Sequence, residues 1–174
     1  ALAISGTTTL VTSANDATIT LDTNTNAFTG ALSITTNDAS GTDANVTIDG
    51  GTTALNIAAS TIDGDLTLTS GNDSGIVDSG TVTVGGNLTA TTDDNNGVIN
   101  MGDLAVDGTI ALTTNGSGNA TVVNDQGLAF AASTVGGALS ATATTGNITD
   151  SGTLAITGTT TLVTSANDAT ITLD

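Results

Sequence analysis

Residues 2–22 read LAISGTTTLVTSANDATITLD and residues 154–174 read LAITGTTTLVTSANDATITLD, a copy displaced by 152 residues in which only Ser5, replaced by Thr157, differs. Compositional bias does not reproduce order, and here Leu2, Ile4, Gly6, Leu10, Ile19 and Leu21 return one by one at Leu154, Ile156, Gly158, Leu162, Ile171 and Leu173. The chain reads as one full unit, residues 1–152, followed at 153–174 by the start of a near-identical next unit in the same continuous array. Its first partner is therefore a further copy of itself.

Inside the unit a looser repeat emerges when short alternating apolar runs are aligned on the glycines that separate them. A first strand position runs through Leu2 and Ile4, Phe28, Leu55 and Ile57, Val82 and Val84, Leu104 and Val106, Leu128 and Phe130, then Leu154 and Ile156. A second follows Gly6, Gly30, Gly64, Gly86, Gly108, Gly137 and Gly158. It holds Leu32 and Ile34, Leu66 and Leu68, Leu88 and Ala90, Ile110 and Leu112, Leu139 and Ala141, with Leu10 and Leu162 in the two end copies. A third lies at Ile19 and Leu21, Val46 and Ile48, Ile76, Val98, Val122, Ile148, then Ile171 and Leu173. The connections between the second and third positions vary in length and consist of Asn, Asp, Ser, Thr, Ala and Gly, the composition of corners.

Each run alternates apolar with Thr, Ser or Asp, so one face is buried and the other wet. A coil of about 25 residues cannot bury its own apolar face, whereas stacked coils pair their strands and share one core. The expectation is an all-β chain, a parallel β-solenoid with three short strands per coil and six coils per unit; right-handedness follows precedent for parallel crossovers. At about 4.8 Å between paired strands, six coils advance about 29 Å. A β-sandwich of hairpinned strands is the competing architecture, but it has no need of one residue type recurring in column.

Composition narrows function. All 17 acidic residues are Asp, and the chain holds no Lys, Arg, His, Cys, Pro, Trp or Tyr, for a net charge of −17. Catalysis by His, Lys or Cys, metal sites of His and Cys, and Arg clamps lack their side chains. Phosphate backbones and anionic membrane surfaces attract basic residues, so nucleic acid is not an expected partner. With no apolar run of about 18 residues, direct membrane insertion is not expected either. A hydrophobic content of 37% argues for an ordered core. The absence of Lys and Arg denies trypsin-like proteases a cleavage site, which suits a surface or secreted protein.

The candidate chemistry is sparse. Asp22, Asp49, Asp78, Asp150 and Asp174 follow the third strand at comparable corners, where stacking would set like charges about 5 Å apart and invite a divalent cation such as calcium. Asp that caps its own turn is the plainer reading, and no β-roll nonapeptide or EF-hand loop is present. DDNNG at residues 93–97 has suitable oxygens without a regular register. Phe28 and Phe130 fall in the first-strand column and read as core fillers, as does Met101 beside its Gly corner. Thr-x-Thr pairs such as Thr67 with Thr69 raise an ice-binding face, but Thr is also the ordinary outward residue of a strand. Six Asn-x-Ser/Thr sequons start at Asn45, Asn72, Asn87, Asn115, Asn119 and Asn147, as expected by chance in this composition. A glycosidase on a parallel β-helix would need aromatic platforms and cationic clamps that the chain lacks.

The phrases NDATITLDTNTNAFTGALSIT from Asn15, TALNIAASTIDGDLTLTSGND from Thr53 and GNITDSGTLAITGTTTL from Gly146 resemble the degenerate repeats of filamentous-haemagglutinin-like large bacterial exoproteins. The resemblance covers essentially the whole chain and implies a secreted or outer-surface fibre whose β-helical shaft projects a binding region. It carries no catalytic residues. A copy as close as the 152-residue one departs from the looser repetition of such shafts and points to recent duplication or selection for a uniform filament. The expected function is a non-catalytic structural shaft without a cofactor. An acidic calcium- or carbohydrate-binding solenoid module, or a filament subunit that self-associates laterally or end to end, is the alternative.

Overall fold

The computed structural model describes residues 1–37, 39–40 and 43–174. The first coil carries β1 (Ala3–Ile4), β2 (Thr8–Val11) and β3 (Ile19–Leu21), and the second β4 (Ala27–Phe28), β5 (Leu32–Thr35) and β6 (Val46–Asp49). The third holds β7 (Leu55–Ile57), β8 (Ser60–Ile62) and β9 (Leu66–Ser70), and the fourth β10 (Ile76–Asp78), β11 (Val82–Val84) and β12 (Leu88–Asn95). In the fifth, two longer strands suffice, β13 (Ile99–Val106) and β14 (Thr109–Asn115). The sixth has β15 (Ala120–Asn124), β16 (Leu128–Phe130) and β17 (Ser133–Val135). The seventh has β18 (Leu139–Ala143), β19 (Ile148–Asp150) and β20 (Leu154–Ile156), and the eighth β21 (Thr160–Thr164) and β22 (Ile171–Thr172). The chain is an all-β parallel solenoid of about eight coils.

Two ten-stranded sheets run the length of the solenoid. Sheet one contains β2, β5, β7, β8, β10, β11, β13, β15, β18 and β21; sheet two contains β3, β6, β9, β12, β14, β16, β17, β19, β20 and β22. Strands β1 and β4 form a separate parallel pair. Apolar residues stack in files from coil to coil: in sheet two Val46 pairs with Leu66, Leu66 with Leu88, Leu88 with Ile110 and Ile110 with Phe130. A matching file in sheet one joins Leu55, Ile76, Ile99, Ala120 and Leu139. Both files belong to one continuous core. Each fully buried Leu, Ile, Val or Phe contributes about 1.5–3 kcal/mol, and none of that burial is available to a coil by itself.

The coil is shorter than the sequence columns suggested. In sheet one Val11 pairs with Thr35, Thr35 with Thr61, Thr61 with Thr83, and Val82 with Leu104. Leu104 then pairs with Asn124, Asn124 with Ala143 and Ala143 with Thr164. Seven steps of about 22 residues thus span the unit, not six of 25. The missing coil lies where the second column jumped 34 residues from Leu32 to Leu66: Leu32 actually pairs with Ile57, and Leu66 stacks on Val46 in the other sheet.

Of the residues expected in the core, Phe28, Ile57, Leu66, Leu68, Val84, Leu88, Val106, Ile110, Leu112, Phe130 and Leu139 are fully buried. Ile4, Ile156 and Leu162 are partly buried and pack against that cluster. Leu2 departs from expectation, at 40% exposure. It precedes β1 in the first coil, which has a neighbouring coil on one side only.

Candidate functional site

The corners hold most of the polar chemistry. Asn45 Oδ1 accepts the Asp65 N–H at 2.7 Å, Asp65 Oδ1 accepts the Asn87 N–H at 2.7 Å, and Asn87 Oδ1 accepts the Thr109 N–H at 2.8 Å. The same bond recurs from Ala138 N–H to Asn119 Oδ1 and from Thr170 N–H to Asn147 Oδ1, each 2.8 Å. A carbonyl or carboxylate oxygen of one coil thereby satisfies a backbone donor of the next, which a corner would otherwise leave outside the strand ladder. The preceding glycine makes room: a Cβ at Gly86 would fall on Asp65 Oδ1, and one at Gly137 on Asn119 Oδ1. These bonds also explain four of the six sequons. Asn45, Asn87, Asn119 and Asn147 are corner acceptors, and Thr47, Thr89, Thr121 and Thr149, two residues on, are strand residues. The side chains of Asn72 and Asn115 accept backbone N–H groups within their own turns.

The five Asp singled out at corners do not form one column. Asp49 pairs with Thr69 and Asp150 with Phe130 in sheet two, whereas Asp78 pairs with Ile57 in sheet one. A 22-residue coil disperses what a 25-residue coil would have aligned. Two adjacencies survive. Asp22 and Asp49 follow the paired Leu21 and Ile48, and the Asp174 N–H donates to Asp150 Oδ1 at 3.1 Å. Asp78 caps backbone, its two oxygens accepting the N–H groups of Gly102 at 3.0 Å and Asp103 at 2.7 Å. Asp49 Oδ1 accepts the Gly51 N–H two residues on, at 2.7 Å. Asp49 also lines a corner hollow of about 390 Å³ with Asn24, Gly51, Thr52, Gly71, Asp93 and Asp94, which brings part of DDNNG beside it. Among the described residues no three Asp are grouped to hold a metal ion.

Reading the alternation alone missed the buried polar residues. Ser60 and Ser133 point inward, and each repairs a break in the ladder. Ser60 Oγ accepts the Ile34 N–H at 3.0 Å and donates to Ala58 O at 2.8 Å; Ser133 Oγ accepts the Leu112 N–H at 3.0 Å and donates to Ala131 O at 2.9 Å. Both sit where one extra residue bulges the upper strand, as Leu32 pairs with Ile57 but Thr35 with Thr61, and Ile110 with Phe130 but Thr113 with Thr134. Thr36 and Thr114 close the following corners. Each accepts from the coil above, Asp63 N–H and Gly136 N–H at 3.0 Å, and donates to Ala44 O at 3.1 Å and Gly118 O at 2.6 Å respectively. Buried Asn124 takes the Val106 N–H and donates to Val106 O and Gly127 O. The repeated AAST of residues 58–61 and 131–134 was the visible signal.

Outward positions in sheet two form a file of Thr20, Thr47, Thr67 and Thr89 that ends at Ala111. Comparison with curated proteins and with solved structures found no match. A family model described as repeats of unknown function (DUF5649) matches residues 1–35, 43–98 and 117–174. These three segments take in most of the described coils, and the chain belongs to this family of repeats of unknown function.

Proposed function

We propose that the chain is a non-catalytic structural segment, a stiff shaft within a secreted or surface-exposed bacterial fibre of the filamentous-haemagglutinin-like kind. The observation that carries this reading is the unbroken parallel pairing through seven successive steps over a single core. Such a stack gains length by addition of coils and resists bending because every coil is bonded to its neighbours along several strands. Missing Lys and Arg, which removes tryptic cleavage sites, supports exposure to proteases as the working condition. Antibodies raised against this chain should label intact cells of the source organism; labelling that requires permeabilisation would remove the surface reading. The acidic corners of neighbouring shafts repel at low salt, so millimolar magnesium or calcium should thicken fibres, and light scattering that stays flat across that range would contradict lateral association.

The hollow that brings Asp49 near Asp93 and Asp94 favours calcium binding as a second reading. Titration calorimetry should then give a defined stoichiometry abolished by Asp93→Asn, and a melting temperature indifferent to calcium and chelator would eliminate it.

A further inference from the structure

Residues 55–62, LNIAASTI, and 128–135, LAFAASTV, are one segment written twice inside the 152-residue unit, 73 residues apart. The likeness extends in both directions. AFTGALSITT at 27–36 corresponds to AVDGTIALTT at 105–114, DLTLT at 65–69 to ALSAT at 138–142, and VDSGTVTV at 77–84 to TDSGTLAI at 149–156. Every copied strand changes sheet. β5, β7, β8, β10 and β11 lie in sheet one, and their copies β14, β16, β17, β19 and β20 in sheet two; β6, β9 and β12 lie in sheet two, and their copies β15, β18 and β21 in sheet one. Three steps in sheet two carry Leu66 through Leu88 and Ile110 to Phe130, and Leu139, the copy of Leu66, comes half a coil later in the other sheet. The half-unit therefore spans three and a half coils.

A repeat with a half-integral number of coils sets successive copies on opposite faces. The outer surface follows. The file Thr20, Thr47, Thr67 and Thr89 on sheet two has its counterpart in Asn100, Thr121, Ser140 and Thr161 on sheet one. The second and third segments matched by the family model, beginning at residues 43 and 117, are separated by this same half-unit.

We infer that the half-unit is an indexing element: each one turns whatever follows it by half a turn relative to the two sheets. An even number of half-units preserves the face on which a following segment is presented, and an odd number reverses it. A partner that reads one outer file meets an equivalent file on the opposite face, three and a half coils further along. The biological use of this device rests on the shaft reading; its geometry does not.

The chain has no cysteine, so paired spin labels enter cleanly. Thr69→Cys with Thr134→Cys puts labels on one sheet, three steps apart through Thr91 and Thr113, about 14 Å along the axis. Thr69→Cys with Thr142→Cys labels a residue and its copy. Electron-electron distances should be clearly longer for the second pair, whose labels leave opposite faces of a core about 10 Å thick. Equal distances, or a shorter second distance, would overturn the inference. As a second test, excising residues 63–135 removes one half-unit and joins Ile62 to Gly136 in phase. That variant should keep a β-sheet circular dichroism spectrum and a cooperative melt, whereas excising residues 63–125 should lose both. An in-phase excision that unfolds as readily as the out-of-phase one would refute indexing. Cells that fail to label with antibody would leave both results standing and strike only the surface reading.

Discussion

Strands β7 and β8 in sheet one and β16 and β17 in sheet two carry nearly the same eight residues, yet their surroundings differ. Ile57 is replaced by Phe130, and outward Asn56 by Ala129. The corner that Thr36 closes leads on through residues 37–45, whereas the one Thr114 closes needs only residues 115–119. The bulge, the Ser that repairs it and the Thr at the corner are nonetheless reproduced bond for bond. Loop length is free because corners project into solvent. The ladder repair is not, because an unsatisfied backbone N–H inside the stack costs about 1–3 kcal/mol.

Substitutions at matched positions break or sharpen this equivalence. Leu66→Asp and its counterpart Leu139→Asp each bury an unpaired charge and should cost several kcal/mol in urea unfolding. A melting temperature unchanged in either would mean that one of the two copies is wrongly assigned to the core. Truncation comes next: Phe130→Ala should cost about 3–5 kcal/mol and Ile57→Ala about 2–5 kcal/mol, so the copies differ, if at all, in the direction of the larger ring. Ser60→Ala and Ser133→Ala should each cost about 1–3 kcal/mol, match within about 0.5 kcal/mol and add in the double variant. A gap above 1 kcal/mol between them would show that the two bulges are not equivalent. The smallest effect belongs to the outer files, where Thr67→Ala and Ser140→Ala should each stay within about 0.5 kcal/mol.

Much of this molecule was legible in its sequence. Period-two alternation found the inward positions, so Leu66, Leu88 and Ile110 were placed correctly in a common file without any structure. The coil number was not legible, for a physical reason. Six coils of 25 residues and seven of 22 fill nearly the same length, and the alternating strands carry no mark of which sheet they join. Half-unit copies compound the ambiguity, since a strand in sheet one resembles one in sheet two. The Asp column followed that error, joining Asp49 and Asp150 to Asp78 across sheets. Ser60 and Ser133 escaped notice because a Ser at an inward position looks like a lapse in the apolar pattern until the missing acceptor for Ile34 and Leu112 is seen.

The central claim is seven coils per unit, built as two half-units of three and a half. Electron cryomicroscopy of a tandem array of the 152-residue unit measures it directly, through a layer line near 4.8 Å and the axial repeat. Seven coils predict a repeat of about 34 Å, with a strong pseudo-repeat at half that height where the two faces exchange. A repeat of about 29 Å, or a fibre without the 4.8 Å spacing, would contradict the account.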